Sequence, residues 1–209
     1  MDAPTGSSQP RSLNARVGAV ALAGSAFLTL LLSHFGASLA PLRLLAVAAS
    51  AFAAWCFCDE MGMRKPLNRA GFVVFIIAAA AKVQAILGAG GAAVGRYYLA
   101  FAAFSLLALL FWSVAFLHRQ RSVKVAGAVG VVATVTPIVA LVAGHLAMGV
   151  GAAVGIKALL AAGDGATLTD RSFVTLVERL FGLWGYVAAW LLWRGHIGGS
   201  ADVPSRSPT

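Results

Sequence analysis

Six long apolar runs follow one another along the chain, at about 17–36, 41–58, 71–88, 97–117, 125–148 and 172–193. Each is set off from the next by a short stretch carrying charges or turn residues. A helix needs about 20 apolar residues to cross a bilayer. The pattern therefore predicts an all-α, polytopic transmembrane bundle of about six spans. A single six-helix domain over 13–197 is expected, between Ser-, Pro- and Gly-rich disordered tails at 1–12 and 198–209.

Basic residues in short loops set the orientation of such a bundle. Arg11, Arg16, Arg64, Lys65, Arg69, Arg119, Arg121, Lys124, Arg194 and Arg206 fall on one side, and Arg43, Arg96, Lys157 and Arg171 on the other. An even number of spans then puts both tails in the cytoplasm of a bacterial inner membrane. Trp55, Trp112, Trp190 and Trp193 fall near the cytoplasmic ends, and Tyr97 and Tyr98 near the outer end of the fourth span, as interfacial aromatics should. A cleaved signal peptide is the rival reading of the first run, with Ser38 and Ala40 ahead of the cut. The run beginning at Val125 continues to Ile156, too long for one untilted span. Gly149, Gly151, Gly155, Gly163 and Gly165 then favour an interfacial segment over 149–170.

Composition agrees. Of 209 residues, 60% are hydrophobic and 11% charged, and the mean hydropathy is +0.86, with too few charges to cover a water-exposed surface. The net charge of +9 belongs to topological anchors, and nucleic acid is not an expected partner. Membrane lipids are, together with a second copy of the chain or a larger membrane complex. Cys56 and Cys58, at i and i+2, face different sides of a helix and read as small hydrophobes. Helices in lipid associate through small residues. These abound at 46–54 in the second span, at 78–81 in the third, and at Ala126, Gly127, Gly130, Ala133 and Thr134 in the fifth, where Pro137 adds a kink signal.

Ionisable residues inside a span are costly and mark function or pairing. Lys82 and Gln84 lie in the third span, Glu178 and Arg179 in the sixth. Lys82 lies some 12 Å, and Glu178 roughly 9 Å, below the outer face of a ~30 Å core. The matching depths predict a Lys82–Glu178 ion pair. His34 and His145 end their spans on the same side. The outer half thus collects His34, Lys82, Gln84, His145, Glu178 and Arg179, while the inner half is nearly free of ionisable groups. The four residues of spans three and six are the candidate substrate or ion pathway, and the two histidines extend the polar layer. No cofactor is expected; haem b held by His34 and His145 is the alternative. His118 and His196 read as solvated.

No Walker-type or dinucleotide glycine motif, HExxH, CxxC or GxSxG is present, and the cluster Gly88, Gly90, Gly91 and Gly95 carries no phosphate signature. Small-solute or ion transport is the leading reading. An accessory or assembly subunit of a membrane complex is the first alternative. An intramembrane enzyme acting on a lipid-like substrate, with Glu178 and a histidine as acid and base, is the second, disfavoured because no nucleophile is identifiable.

The last span reads Val177-Glu178-Arg179-Leu180, then Trp184, then apolar residues up to Arg194. It resembles the final helix of small six-helix bacterial membrane families of unknown function. In those, a Glu-Arg pair opens the last span and a tryptophan follows. The resemblance implies six helices and brings no activity.

Overall fold

A computed structural model describes residues 13–32, 39–88, 93–119, 121–147 and 168–197, with the side chains of 93, 121, 122, 140–147 and 168–172 set aside. These residues form six helices: α1 (Leu13–Leu32), α2 (Ala40–Met61), α3 (Pro66–Leu87), α4 (Ala93–Leu117), α5 (Arg121–Ala147) and α6 (Leu168–Arg194). Five contain segments long and apolar enough to cross a membrane, namely α1, α2, α3, Val94–Leu117 of α4 and Phe173–Arg194 of α6. The protein is all-helical and compatible with an integral membrane protein. Helix α5 is 27 residues long, and its apolar part with described side chains, Val123–Val139, is shorter. The two tails and the expected interfacial segment up to 167 lie outside the described residues.

The helices start and stop for local reasons. Pro66 begins α3 and Pro41 sits in the first turn of α2, where a missing N–H costs nothing. Gly62 ends α2 with φ 90°, a left-handed conformation open to glycine. Its N–H donates to the Asp59 carbonyl at 3.0 Å. Helix α6 ends at Gly195, φ 72°. There the Gly195 and His196 N–H groups donate to the Leu192 and Leu191 carbonyls, both at 3.0 Å, the paired closure of a Schellman cap. Several helices exceed their apolar runs: α1 begins at Leu13 and α3 at Pro66. A chain in lipid keeps its backbone bonded until it reaches water, so polar first turns stay helical.

Each helix packs against the next, and α6 returns to α1, closing a ring; α4 also touches α6 across it. Successive helices run antiparallel. The α-carbon of Gly18, early in α1, lies so close to α2 that a Cβ there would come 2.8 Å from Cys56 Cβ, late in α2. Gly127 of α5 approaches Ser113 and Phe116 of α4 in the same way, with 2.7 Å to the Ser113 carbonyl oxygen. These are the close backbone approaches that small residues permit.

The ring is filled by aromatic rings from four helices. Phe57 of α2, Phe75 of α3, Trp112 and Phe116 of α4, and Phe181 and Trp184 of α6 form one cluster. Trp112 and Trp184 stack at 5.8 Å with their planes 7° apart, and Phe75 and Phe181 stack at 5.3 Å. Trp112, expected as an interfacial anchor, is 2% exposed and belongs to this core. Gly71 makes its room, since a Cβ there would fall 2.6 Å from Trp112 Nε1. Trp55, Trp190 and Trp193 are exposed, as expected of aromatics at an interface. The two cysteines do face different neighbours, and both are buried. Cys56 lies against Gly18, and Cys58 Sγ lies 3.9 Å from the Asn68 carbonyl oxygen. Helix α2 is covered on both sides.

Candidate functional site

The small residues of α3 lead directly to its one buried charge. Ala78 and Ala79 are buried against the neighbouring helices, and one turn later Lys82 is 9% exposed. Its Nζ lies 2.7 Å from Glu178 Oε1 of α6. The same ammonium sits 4.5 Å from the centroid of the Phe101 ring of α4. Three helices thus meet at one cation, which pairs with a carboxylate and rests on a π-face. Buried Val177 packs with Ala102, Leu106, Phe173 and Val174 beside the pair. Lys82 stands little more than a turn from Leu87, and Glu178 a similar distance from Phe173, roughly 7.5 Å each at 1.5 Å per residue. Matching height in two antiparallel helices is what lets the pair form.

The remaining residues of the expected polar layer separate. Gln84 is exposed; two residues beyond Lys82 it points about 200° round the helix, away from the pair. Arg179 is also exposed. His34 lies outside the described residues. His145 lies in α5, with its side chain outside the described set, so haem ligation by the two histidines is untested. At the same end of the bundle, Arg43 of α2 reaches Tyr98 Oη of α4 and the Leu32 carbonyl of α1, both at a long 3.4 Å. His118 is exposed with Nδ1 2.9 Å from the Val114 carbonyl oxygen. His196 is exposed beside Trp190.

Two residues emerge that the sequence reading passed over. Ser105 and Ser113 of α4 are fully buried, and among the described residues neither hydroxyl has a hydrogen-bond partner. Elsewhere the helices satisfy such groups locally. Ser25 bonds the Leu22 carbonyl at 3.0 Å, Ser50 that of Ala46 at 2.7 Å, and Thr134 that of Gly130 at 2.8 Å. An orphaned buried hydroxyl costs about 1–3 kcal/mol, so two on one helix call for a reason. Ser105 stands one turn from Phe101, on the side of the aromatic cluster. Ser113 lies between Trp112 and Phe116, at the level of the cluster, facing Gly130 and Trp184, whose Nε1 is likewise without a partner among the described residues. Orphaned polar atoms thus lie within the aromatic plug, at Ser113 and Trp184, and between it and the ion pair, at Ser105. The signal was available, since these serines are the hydroxyl residues within the apolar core of α4.

Among the described residues no group of three or more His, Cys, Asp and Glu side chains is placed to hold a metal ion. No protein-family model, curated protein or solved structure matches the chain.

Proposed function

We propose that this chain moves a small solute or ion across a bacterial inner membrane, along a route that passes the Lys82–Glu178 pair and is closed by the aromatic plug. The observation that carries the reading is the ion pair itself, buried where three helices meet. Charge at that depth is expensive and marks pathways and relays. A passing cation replaces Lys82 at the carboxylate, and a passing anion replaces Glu178 at the ammonium. Ser105 and Ser113 support the same line, as hydroxyls left for water or solute between the pair and the rings and among the rings themselves. With the rings stacked, the plug keeps the two sides apart.

The test is reconstitution of the purified full chain into proteoliposomes. Uptake is measured for a panel of protons, potassium, chloride and small amino and carboxylic acids. Uptake of at least one is expected, lowered more than about tenfold by Glu178→Gln and by Lys82→Met in protein that still elutes as a single species. If the folded wild type moves none of them, the proposal fails. Stoichiometric co-purification of another membrane protein would then leave the accessory-subunit alternative.

A further inference from the structure

The basic end of the bundle holds a second feature, which requires only that the helices be embedded in a membrane. Arg119, just past the end of α4, is half-buried, and its Nη2 donates to the Met61 carbonyl oxygen at 2.8 Å. That bond ties the α4–α5 connection to the end of α2. It brings Arg119 together with Arg64, Lys65 and Arg69 at the start of α3, all exposed. Lys124 of α5 and Arg194 of α6 are exposed at the same end, and the Arg194 guanidinium lies 5.8 Å from the Trp190 ring. Against these six cations the same end offers Asp59 and Glu60.

We infer that this end is a binding surface for anionic phospholipid headgroups, centred on Arg119 and completed by Arg64, Lys65 and Arg69. Charge complementarity gives the partner's sign, since basic clusters beside spans bind acidic headgroups. The exposed Trp190 and Trp193 give its depth, because tryptophan settles at the level of the headgroups. Burial pushes the Arg119 guanidinium below its ordinary pKa, and a phosphate placed against it relieves that penalty. A lipid phosphate there has the fork of an arginine to bind bidentately. It would hold the α2 and α4 ends together from the bilayer side.

The experiment uses the full chain purified in an uncharged detergent. Equal amounts of dioleoyl phosphatidylglycerol and dioleoyl phosphatidylcholine are added, and retained lipid is counted by native mass spectrometry. Phosphatidylglycerol is expected to exceed phosphatidylcholine at least tenfold. Arg119→Gln lowers its affinity about fivefold, and adding Arg64→Gln and Arg69→Gln lowers it about a hundredfold in total, a factor near five for each cation. Arg119→Lys keeps most of the binding, and Arg96→Gln in the first turn of α4, at the other end, leaves it unchanged. Should Arg119→Gln not fold, the exposed pair Arg64→Gln/Arg69→Gln carries the test with a loss of about 25-fold. Equal retention of the two lipids overturns the inference. So does wild-type retention in the folded variants, or displacement of the lipid by millimolar inorganic phosphate.

Discussion

Removing one member of the Lys82–Glu178 pair leaves the other charge among apolar neighbours, and the two removals should differ in cost. The side chains are 11% and 15% exposed. Breaking such a pair costs about 3–5 kcal/mol, whereas replacing both members by apolar residues is often close to neutral. In Glu178→Gln the remaining ammonium keeps its place over Phe101, and its four-carbon stem can turn toward the helix end little more than a turn away. The loss should therefore fall near the lower limit, about 3 kcal/mol or less. In Lys82→Met the remaining carboxylate has a shorter stem and no such route, so the loss should be about 3–5 kcal/mol. Lys82→Met/Glu178→Gln should lose only about 1–3 kcal/mol, the cost of the amide left among apolar neighbours, well short of the sum of the two single losses, a coupling at or above the top of the 0.5–3 kcal/mol range in which contacts usually fall. Unfolding in mixed micelles of mild and denaturing detergent measures each value. Losses that add within about 0.5 kcal/mol would show that the pair contributes nothing as a pair.

Two further outcomes concern packing. Gly130→Leu places a side chain against Ser113 Oγ and Trp184 Nε1. It should destabilise the bundle by about 1–3 kcal/mol or more in the same assay, while Gly24→Leu in α1, where a Cβ meets nothing within 4 Å, should be silent. Cys56 and Cys58 are 7% and 0% exposed. Neither should react with a membrane-impermeant maleimide in the folded protein, and both should react after denaturation; labelling of folded Cys58 would contradict the α2–α3 packing.

Much of the fold was legible because long apolar runs parted by charged or turn residues mark out successive helices, five of them long and apolar enough to cross a membrane. The limits of the helices were less so. Pro66 to Ala70 reads as a loop by its charge, yet it stays helical because the backbone keeps its bonds into the interface. The ion pair was legible from depth alone, since Lys82 and Glu178 have few partners at their level. Gln84 shows where depth is insufficient: its height suits the layer, but its bearing on the helix does not. Trp112 shows a similar ambiguity. A tryptophan near a span's end suits an interface or a core, and only the facing Gly71 of α3 distinguishes the two. The closure of α6 onto α1 has no local signature. It sets Leu22 and Ala26 of α1 against Gly185 of α6, a contact between the two ends of the sequence. The aromatic plug, assembled from four helices, depends on the same closure.

The route past the ion pair is tested most directly at Ser105, fully buried and one turn beyond Phe101. Ser105→Cys, in a chain whose own two cysteines are buried, is exposed to a small cationic thiosulfonate reagent in right-side-out vesicles. If solute passes Lys82 and Glu178, water reaches this position and the introduced thiol is modified. The rate of modification should rise further in Ser105→Cys/Glu178→Gln, where the pair no longer closes the path. An introduced thiol that stays unmodified in both backgrounds, while one placed by Arg96→Cys at an exposed position reacts, would mean that the pair seals a solid bundle and lies on no route.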